Sequence, residues 1–311
     1  MTPPEPTSTP SPAAVRRKVR RRRLAALALV LIAGAAVVWW RMPDKPARLP
    51  GLRYWTSPST GMDFVYIAPG TFMMGSPEWE EIRFDNETQH EVTITKGFWL
   101  GVTEVTQGQW KALMGSNPSA FKGRNHPVEM VSWDDCQAFI AKLCDKEGVP
   151  LGTYRLPTEA QWEFACRAGT TGPFAGNLDE LAWYKRNSQS RRIDLVGAWK
   201  SDWSKGIPPF YVYSPRTALV GQKEANALGL YDMHGNVSEW CEDGYEEYGK
   251  QLRTDTCVSS SNSGRIIRGG SFHSSASLCR SALRSKAGPG LQACVTGFRL
   301  LRLDSSFPTP R

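Results

Sequence analysis

Residues 229–240 read GLYDMHGNVSEW and combine turn-forming glycines, two carboxylates and an indole in one short stretch. Asp232 and Glu239 can offer carboxylate oxygens to a hard cation. Gly235 lets the backbone fold back, so that carbonyls near positions 235 and 237 can complete an oxygen cage. A turn closed by side-chain hydrogen bonds is the alternative, and the spacing alone does not decide between the two.

The positive charge of the chain is concentrated at its N-terminus. Residues 1–23 hold seven of the 38 basic residues and one of the 30 acidic residues, so positions 24–311 carry 31 basic and 29 acidic groups. A globular part that is nearly neutral gives no sign of the excess of basic residues with which proteins bind nucleic acid. We therefore expect no nucleic-acid partner.

The N-terminal segment predicts a membrane anchor. Residues 1–23 are rich in Pro, Ser and Thr and then in Arg, which is typical of a disordered tail. Leu24–Trp40 is a run of 17 residues without a charge or a proline. As a helix it would span roughly 26 Å, enough to cross a bilayer. The basic flank predicts a cytoplasmic N-terminus and an extracytoplasmic, periplasmic or cell-surface, domain.

Two other targeting signals fit the same region. Ala33-Gly34-Ala35 resembles the cleavage site of a signal peptide, and Arg21–Arg23 permits a twin-arginine signal. Both alternatives also export the domain. The remaining chain is divided into a linker over 41–60, a globular domain over 61–305 and a tail over 306–311.

Short strands open the globular domain. Phe64–Ile67 and Thr71–Met74 are rich in β-branched, aromatic and apolar residues around Pro69-Gly70, which predicts a hairpin-like pair. Glu91–Thr95 alternates strictly and predicts a half-buried strand.

Three helix starts follow from capping patterns. Thr106 with Gln109 and Thr158 with Gln161 have the spacing of a capping box, and Ser132 caps a helix that Gly148 ends. The apolar face of this middle helix is Cys136, Phe139, Ile140, Leu143 and Cys144. Beyond residue 169 the helical signals fade, which indicates an α+β domain with little regular secondary structure.

Seven motifs are spread along the globular part of the chain. They are PGTFMMGS (69–76), WLGVTEVTQGQW (99–110), HPVEMVSW (126–133), RLPTEAQWE (155–163), GLYDMHGNVSEW (229–240), RGGS (268–271) and GFR (297–299). Their order resembles that of the formylglycine-generating enzyme family, also called sulfatase-modifying factors, and the resemblance runs from about Phe64 to Arg302. It implies a fold distantly similar to that of C-type lectins.

The resemblance favours calcium over a plain turn in the 229–240 stretch. Its implied ligands are Asp232, Gly235, Val237 and Glu239. A second calcium site of the family would begin near Asn187 and Ser188. Residues 191–216 match no part of the family pattern, so this second site is not assigned.

Enzymes of the family oxidise a cysteine of a client sulfatase to formylglycine, using oxygen and copper(I) held by two thiolates. Counted from Ser271, the two ligand positions are Ser274 and Cys279, and a serine hydroxyl is too hard to replace a sulfur. A count back from Arg284 shifts the register and leaves Cys279 as a small buried residue. His273 is a weak candidate for a substitute ligand.

The other cysteines could form disulfides, because the domain is predicted to be exported. The count of seven leaves at least one cysteine unpaired or in an intermolecular bond. Cys166 matches a position that is disulfide-bonded in some relatives, but the partner position is Leu300, so we expect no bridge there. The sequence leaves open any pairing among Cys241, Cys257 and Cys294.

Two functions remain open at this point. The first is a copper-dependent oxidase that makes formylglycine on client sulfatases, with the cysteine of the client placed beside Cys279 and Ser271. The second is a non-catalytic, calcium-stabilised binding or scaffolding module of the same fold. Its candidate binding surface is an aromatic insertion, which is alternatively a lid over the domain's own core: Trp199, Trp203, Phe210, Tyr211 and Tyr213.

Overall fold

A computed structural model describes residues 45–188, 215–258 and 264–303. The chain separates into two units, Met1–Lys45 and Pro46–Arg311, and all described residues except Lys45 belong to the second unit. The predicted tail, the anchor Leu24–Trp40 and the aromatic insertion lie outside the described residues. Among the helices that are described, none is long and apolar enough to cross a membrane.

The described chain contains twelve short strands, four α-helices and a 3₁₀ helix over Ala276–Cys279. The strands are β1 (Tyr54–Thr56), β2 (Asp63–Ile67), β3 (Gly70–Met74), β4 (His90–Ile94), β5 (Phe98–Gly101), β6 (Tyr154–Arg155), β7 (Ser238–Gly244), β8 (Arg253–Thr254), β9 (Arg265–Arg268), β10 (Ser285–Ala287), β11 (Thr296–Gly297) and β12 (Leu301–Arg302). The helices are α1 (Gln107–Met114), α2 (Trp133–Glu147), α3 (Glu159–Arg167) and α4 (Leu178–Leu181). The predicted α+β class with little regular structure is confirmed.

The strands form three small sheets. One has the order β1-β2-β5-β12-β6, the second β10-β9-β7-β11 and the third β3-β4-β8. The predicted hairpin of β2 with β3 is wrong, because β2 pairs with β1 and β5 while β3 pairs with β4 in another sheet. Residues 68–69 make a corner between sheets, where Pro69 needs no ladder partner for a backbone N–H.

The predicted helices are confirmed with their caps. Thr106, Ser132 and Thr158 each accept a hydrogen bond from the third helical amide, and the residue at that position returns one to the cap backbone. Gly115 and Gly148 end α1 and α2 in the left-handed conformation. These ends are set by local chemistry, which is why the sequence predicts them well.

The core lies on both faces of the first sheet. Phe64 and Trp99 pack into one cluster together with α2, whereas their chain neighbours Val65 and Leu100 pack into another together with α3. This alternation follows from the two-residue period of a strand. The five predicted apolar residues of α2 are all buried.

A buried ionic network fixes the start of the RGGS motif. Arg268 forms an ion pair with Glu163 and a second one with Glu159 at 3.4 Å. Arg167 binds Glu163 at 2.8 Å, and Arg284 binds Glu159 at 2.7 Å. Because such buried charges are strongly destabilising when unpaired, this network holds β9 and α3 in one arrangement.

Candidate functional site

The 229–240 stretch is a tight turn entering β7. Its backbone is left-handed at Gly229, Asp232, Gly235 and Asn236, with φ between 50° and 82°. Gly235 is required for a second reason, since a Cβ there would lie 2.2 Å from the carbonyl oxygen of Trp183. The turn is therefore set by glycine and by Asp and Asn, the residues that tolerate this conformation best.

Backbone hydrogen bonds join this turn to the RGGS motif. The Gly235 amide donates to the Gly269 carbonyl at 2.9 Å, and the Phe272 amide donates to the Asn236 carbonyl at 2.8 Å. The two stretches that carry the predicted site residues are thus one connected region.

Asp232 has one satisfied and one open carboxylate oxygen. The residue is 2% exposed, and its Oδ2 accepts a hydrogen bond from the Gly221 amide at 2.7 Å. Its buried Oδ1 has no hydrogen-bond partner in the described part of the chain. Burial raises the pKa of Asp232 to about 6, and the nearby Glu239 carboxylate adds to the effect.

Glu239 is held by a buried arginine. Arg299 donates from Nε to Oε2 and from Nη2 to Oε1, each at 2.6 Å, and Trp162 Nε1 donates to Oε2 at 2.8 Å. Arg299 also donates to the backbone carbonyls of Gly101 and Tyr231. Both oxygens of Glu239 therefore accept charge-assisted hydrogen bonds, and its negative charge is balanced.

Glu104, between β5 and α1, is a site residue that the sequence analysis did not single out. It is 1% exposed, and among the described residues no other residue donates a hydrogen bond to either of its carboxylate oxygens, while its own backbone amide lies close to the carboxylate. Its side chain comes within hydrogen-bonding reach of Asp232. Burial and then the Asp232 carboxylate raise the pKa of Glu104 well above its usual value. The sequence signal was the glutamate of the WLGVTEVTQGQW motif.

The predicted calcium ligands therefore differ in what they can offer. The open oxygen of buried Asp232 fits a hard cation. Val237, five residues later in the same turn, is buried with its side chain packed near Gly297. Glu239 is engaged by Arg299 instead. No group of three or more His, Cys, Asp or Glu side chains within 45–188, 215–258 and 264–303 is arranged to hold a metal.

Ser271 and Ser274 close a tight turn. The Ser274 amide donates to the Ser271 carbonyl at 2.9 Å, and the Ser271 amide donates to the Ser274 Oγ at 3.0 Å. Their two hydroxyl oxygens are 3.2 Å apart. The Ser271 amide also reaches the Cys279 thiol, so the structure brings the three predicted residues together.

Cys279 is closed off from solvent. It is 0% exposed and packs against Leu178, Ala182 and Tyr184. A Cβ at Gly270 would lie 2.8 Å from its sulfur. Burial raises the pKa of the Cys279 thiol to about 12, so the sulfur is protonated at neutral pH.

These residues do not fit a copper(I) ion held by two thiolates. Cys279 offers a buried thiol, and the second position is Ser274, whose hydroxyl is a hard and protonated group. His273 is exposed and its ring lies edge-on to Phe272, whereas Cys279 is buried.

His234 contacts the segment Ser271–Cys279, called here the serine–cysteine turn, and was not predicted to have a role. Its Nδ1 bonds the carbonyl oxygen of Cys279 at 2.7 Å, and its Nε2 accepts a hydrogen bond from the Ala175 amide at 3.2 Å. The proton must therefore sit on Nδ1. Burial lowers the pKa of His234 to about 4, which keeps the ring neutral. The Cys166 sulfur is 3.7 Å from Nε2.

The remaining predicted positions have structural partners. Asn187 accepts from the Tyr184 amide and donates to the Ala182 carbonyl, each at 2.9 Å, and Ser188 donates to the Phe272 carbonyl at 2.6 Å. All seven cysteines lie in the described part of the chain, and each is a free thiol.

Comparison with known proteins agrees with the motifs. The family described as "Sulfatase-modifying factor enzyme 1-like domain" matches residues 55–303. "Chaperone protein LppX" of Paenibacillus barcinonensis is 35% identical over 214 residues, 58% of this chain and 70% of that protein. "Formylglycine-generating enzyme" of Mus musculus is 29% identical over 217 residues, 68% of this chain and 52% of the enzyme. The chain thus spans about half the length of that enzyme.

Two further similarities concern function and fold. "Inactive C-alpha-formylglycine-generating enzyme 2" of Mus musculus is 33% identical over 152 residues, 48% of this chain and 42% of that protein. The solved structure of Treponema denticola variable protein 1 is 28% identical and has a TM-score of 0.66. That similarity covers 82% of this chain and 99% of the other.

Proposed function

We propose that this chain, which belongs to the family of sulfatase-modifying factor enzyme 1-like domains, is a non-oxidising, calcium-stabilised member that binds polypeptides outside the cytoplasm. The observation that carries this proposal is the state of Cys279. A sulfur that is buried and protonated, with serine at the second ligand position, cannot offer the pair of thiolates that copper(I) requires.

The relatives support a binding role. One similar protein is named a chaperone and another is named inactive, although a third carries the name of the enzyme. A family whose members differ in this way shares a fold and not one reaction. Function must therefore be argued from the residues of each chain.

A loop that is ion-paired to Arg280 exposes three apolar side chains. The loop of residues 77–87 presents Trp79, Ile82 and Phe84 to solvent, and Trp79 is 70% exposed. Arg280, the residue after Cys279, anchors this loop through buried ion pairs. Exposed apolar side chains grouped on a fixed loop are typical of a binding surface.

The anchors of the loop are strong. Arg280 binds Glu80 at 2.5 Å and contacts both oxygens of Glu87 at 2.8 Å. A bidentate guanidinium–carboxylate pair fixes both position and orientation. The apolar side chains are therefore presented on a braced loop.

The charge of the loop selects the partner. Glu78, Glu81 and Asp85 are exposed beside the apolar side chains. Complementary charge raises the rate of association and excludes acidic partners. We propose that the occupant is an extended polypeptide segment with alternating apolar and basic residues.

Peptide binding by the full-length chain in detergent micelles tests this function. A fluorescent peptide of alternating Leu and Arg should bind, and its affinity should fall about a hundredfold or more in a Trp79→Ser, Ile82→Ser, Phe84→Ser variant, since each of the three lost anchors is worth roughly 1 kcal/mol or more. Leu151→Ser, at a site 78% exposed but distant in sequence, is the matched control. Equal binding by all variants would refute the proposal.

The location of the domain is part of the proposal. The apolar run Leu24–Trp40 and its basic flank support a single N-terminal membrane helix with the domain outside the cytoplasm. A reporter enzyme that is active only outside the cytoplasm, fused after Arg311, should be active. Activity of a cytoplasm-specific reporter at the same position would contradict this orientation.

A second candidate function is oxidation of a client sulfatase cysteine to formylglycine. The observation in its favour is that Ser271, Ser274 and Cys279, which the family resemblance implies for catalysis, do meet around one backbone amide. An aldehyde on a cysteine peptide, formed only in the presence of this chain, would establish the oxidase.

A further inference from the structure

Three buried oxygens in one place have no hydrogen-bond partner. They are both carboxylate oxygens of Glu104 and Oδ1 of Asp232, as far as the described residues extend. Leaving a buried carboxylate oxygen unpaired costs at least about 1–3 kcal/mol. Three such atoms side by side therefore indicate a missing partner and not a chance defect.

The net charge of the acid cluster, which consists of Glu104, Asp232 and Glu239, also indicates a missing cation. Glu104, Asp232 and Glu239 interact with one another, and Arg299 is the cation that interacts with all three. With every carboxylate ionised the cluster carries a net charge of −2. A divalent cation would bring it to zero.

A shared proton is the rival explanation. A proton between Glu104 and Asp232 would satisfy one oxygen on each, leaving the second Glu104 oxygen unpaired. The cluster would also keep one uncompensated negative charge. A divalent cation satisfies all three oxygens at once and balances the charge, so it explains more of what is observed.

We propose that a calcium-type divalent cation is bridged by Glu104 and Asp232, with Glu104 in place of Glu239 as the second carboxylate ligand. The proposal rests on the calcium-stabilised part of the proposed function. Glu239 does not ligate the cation in this arrangement, because Arg299 donates hydrogen bonds to both of its oxygens. Carboxylate oxygens are the ligands that calcium prefers.

Such an ion would tie distant parts of the chain together. Glu104 lies in the β5–α1 connection, and Asp232 lies in the turn before β7. That turn is hydrogen-bonded to Gly269 and Phe272 on either side of Ser271. Cation binding would thereby stabilise the serine–cysteine turn without touching it.

The test is calcium binding and thermal unfolding of the full-length chain in detergent. We expect one calcium per chain, a melting temperature that falls when EGTA is added, and an affinity lower by on the order of a hundredfold in Glu104→Gln. In EGTA, Glu104→Gln should melt above the wild type because one of the repelling charges is gone. Wild-type affinity in Glu104→Gln, or no calcium binding by the wild type, would overturn the proposal.

Two controls separate a ligand from a merely structural residue. Glu129→Gln changes another fully buried carboxylate with one unpartnered oxygen, and should leave calcium affinity unchanged. Glu239→Gln should lower stability through Arg299 but retain calcium affinity within a few fold. A large loss of affinity in Glu239→Gln with none in Glu104→Gln would assign the ion to Glu239 instead.

The outcomes also distinguish this inference from the proposed function. Calcium binding is measured without any peptide, so a chain that binds calcium through Glu104 but binds no peptide contradicts only the polypeptide-binding role. A chain that binds the peptide in EGTA as well as in calcium contradicts only the cation.

Discussion

The acid cluster of Glu104, Asp232 and Glu239 and the turn of Ser271, Ser274 and Cys279 are joined by backbone hydrogen bonds, yet they differ in what they leave open. Within the described part of the chain, the acid cluster keeps unpartnered oxygens and excess negative charge. The serine–cysteine turn has paired hydroxyls and a protonated, enclosed sulfur.

This difference indicates which of the two regions is the better candidate for binding a ligand. Buried polar atoms without partners are costly, and several of them close together call for a partner such as an ion, a water or a proton. The acid cluster meets that description. The serine–cysteine turn does not, because its groups satisfy one another. The proposed cation site and the proposed loss of cysteine oxidation therefore rest on different residues and can be tested separately.

Breaking the charge balance of the acid cluster should have the largest effect. Arg299→Met removes the guanidinium that holds Glu239 and leaves three buried carboxylates together. We expect a loss of about 3–5 kcal/mol in the free energy of unfolding, partly restored by calcium. Chemical denaturation with and without calcium measures this. The control Arg186→Met breaks an exposed pair with Asp179 and should cost no more than about 1 kcal/mol. Equal effects of the two substitutions would contradict the account.

His234 should make the serine–cysteine side sensitive to acid. Its folded pKa of about 4 lies below its unfolded value of 6.5, so the unfolded chain binds the extra proton. The contribution of His234 to stability is complete above pH 6.5 and is lost as the pH falls toward 4. The loss should reach on the order of 3 kcal/mol.

A substitution isolates that contribution. Gln can supply both the donor to the Cys279 carbonyl and the acceptor for the Ala175 amide, so His234→Gln should flatten the dependence of stability on pH between 4 and 6.5. Denaturation at several pH values compares it with wild type and with His273→Gln at an exposed position. A His234→Gln curve as steep as that of the wild type would count against the buried neutral imidazole.

The smallest effect should come from the enclosed sulfur. Cys279→Ala removes one buried atom and should cost about 1 kcal/mol, with no loss of peptide binding. In the native chain a thiol reagent should label the exposed Cys257 and leave Cys279 unlabelled until denaturant is added. Mass spectrometry of the labelled peptides reads this directly. Labelling of native Cys279 at the rate of Cys257 would show an open site.

The sequence predicts those parts of the molecule that depend on near neighbours. The caps at Thr106, Ser132 and Thr158 decide three helices because donor and acceptor lie three residues apart. The pairing of β2 with β5, and not with β3, depends on packing across the sheet. No local pattern encodes that packing.

In the candidate site, too, the sequence predicts what near neighbours determine and misses the contacts with remote segments. The left-handed turn around Gly235 follows from its own residues, and the family resemblance names Asp232 and Glu239. The partners of those residues come from remote segments, Arg299 near β12 and Glu104 after β5. A single sequence carries no signal for contacts of that kind, so the pairing of Glu239 with Arg299 and the approach of Glu104 to Asp232 appear only in the fold.

Copper(I) binding and aldehyde formation together decide whether the serine–cysteine turn oxidises a client cysteine. The full-length chain is titrated with copper(I) and then incubated in air with a peptide containing the cysteine motif of a sulfatase, and the peptide is analysed by mass spectrometry. We expect no stoichiometric copper binding and no aldehyde product. Stoichiometric copper and an aldehyde that Cys279→Ala abolishes would contradict the account and establish an oxidase.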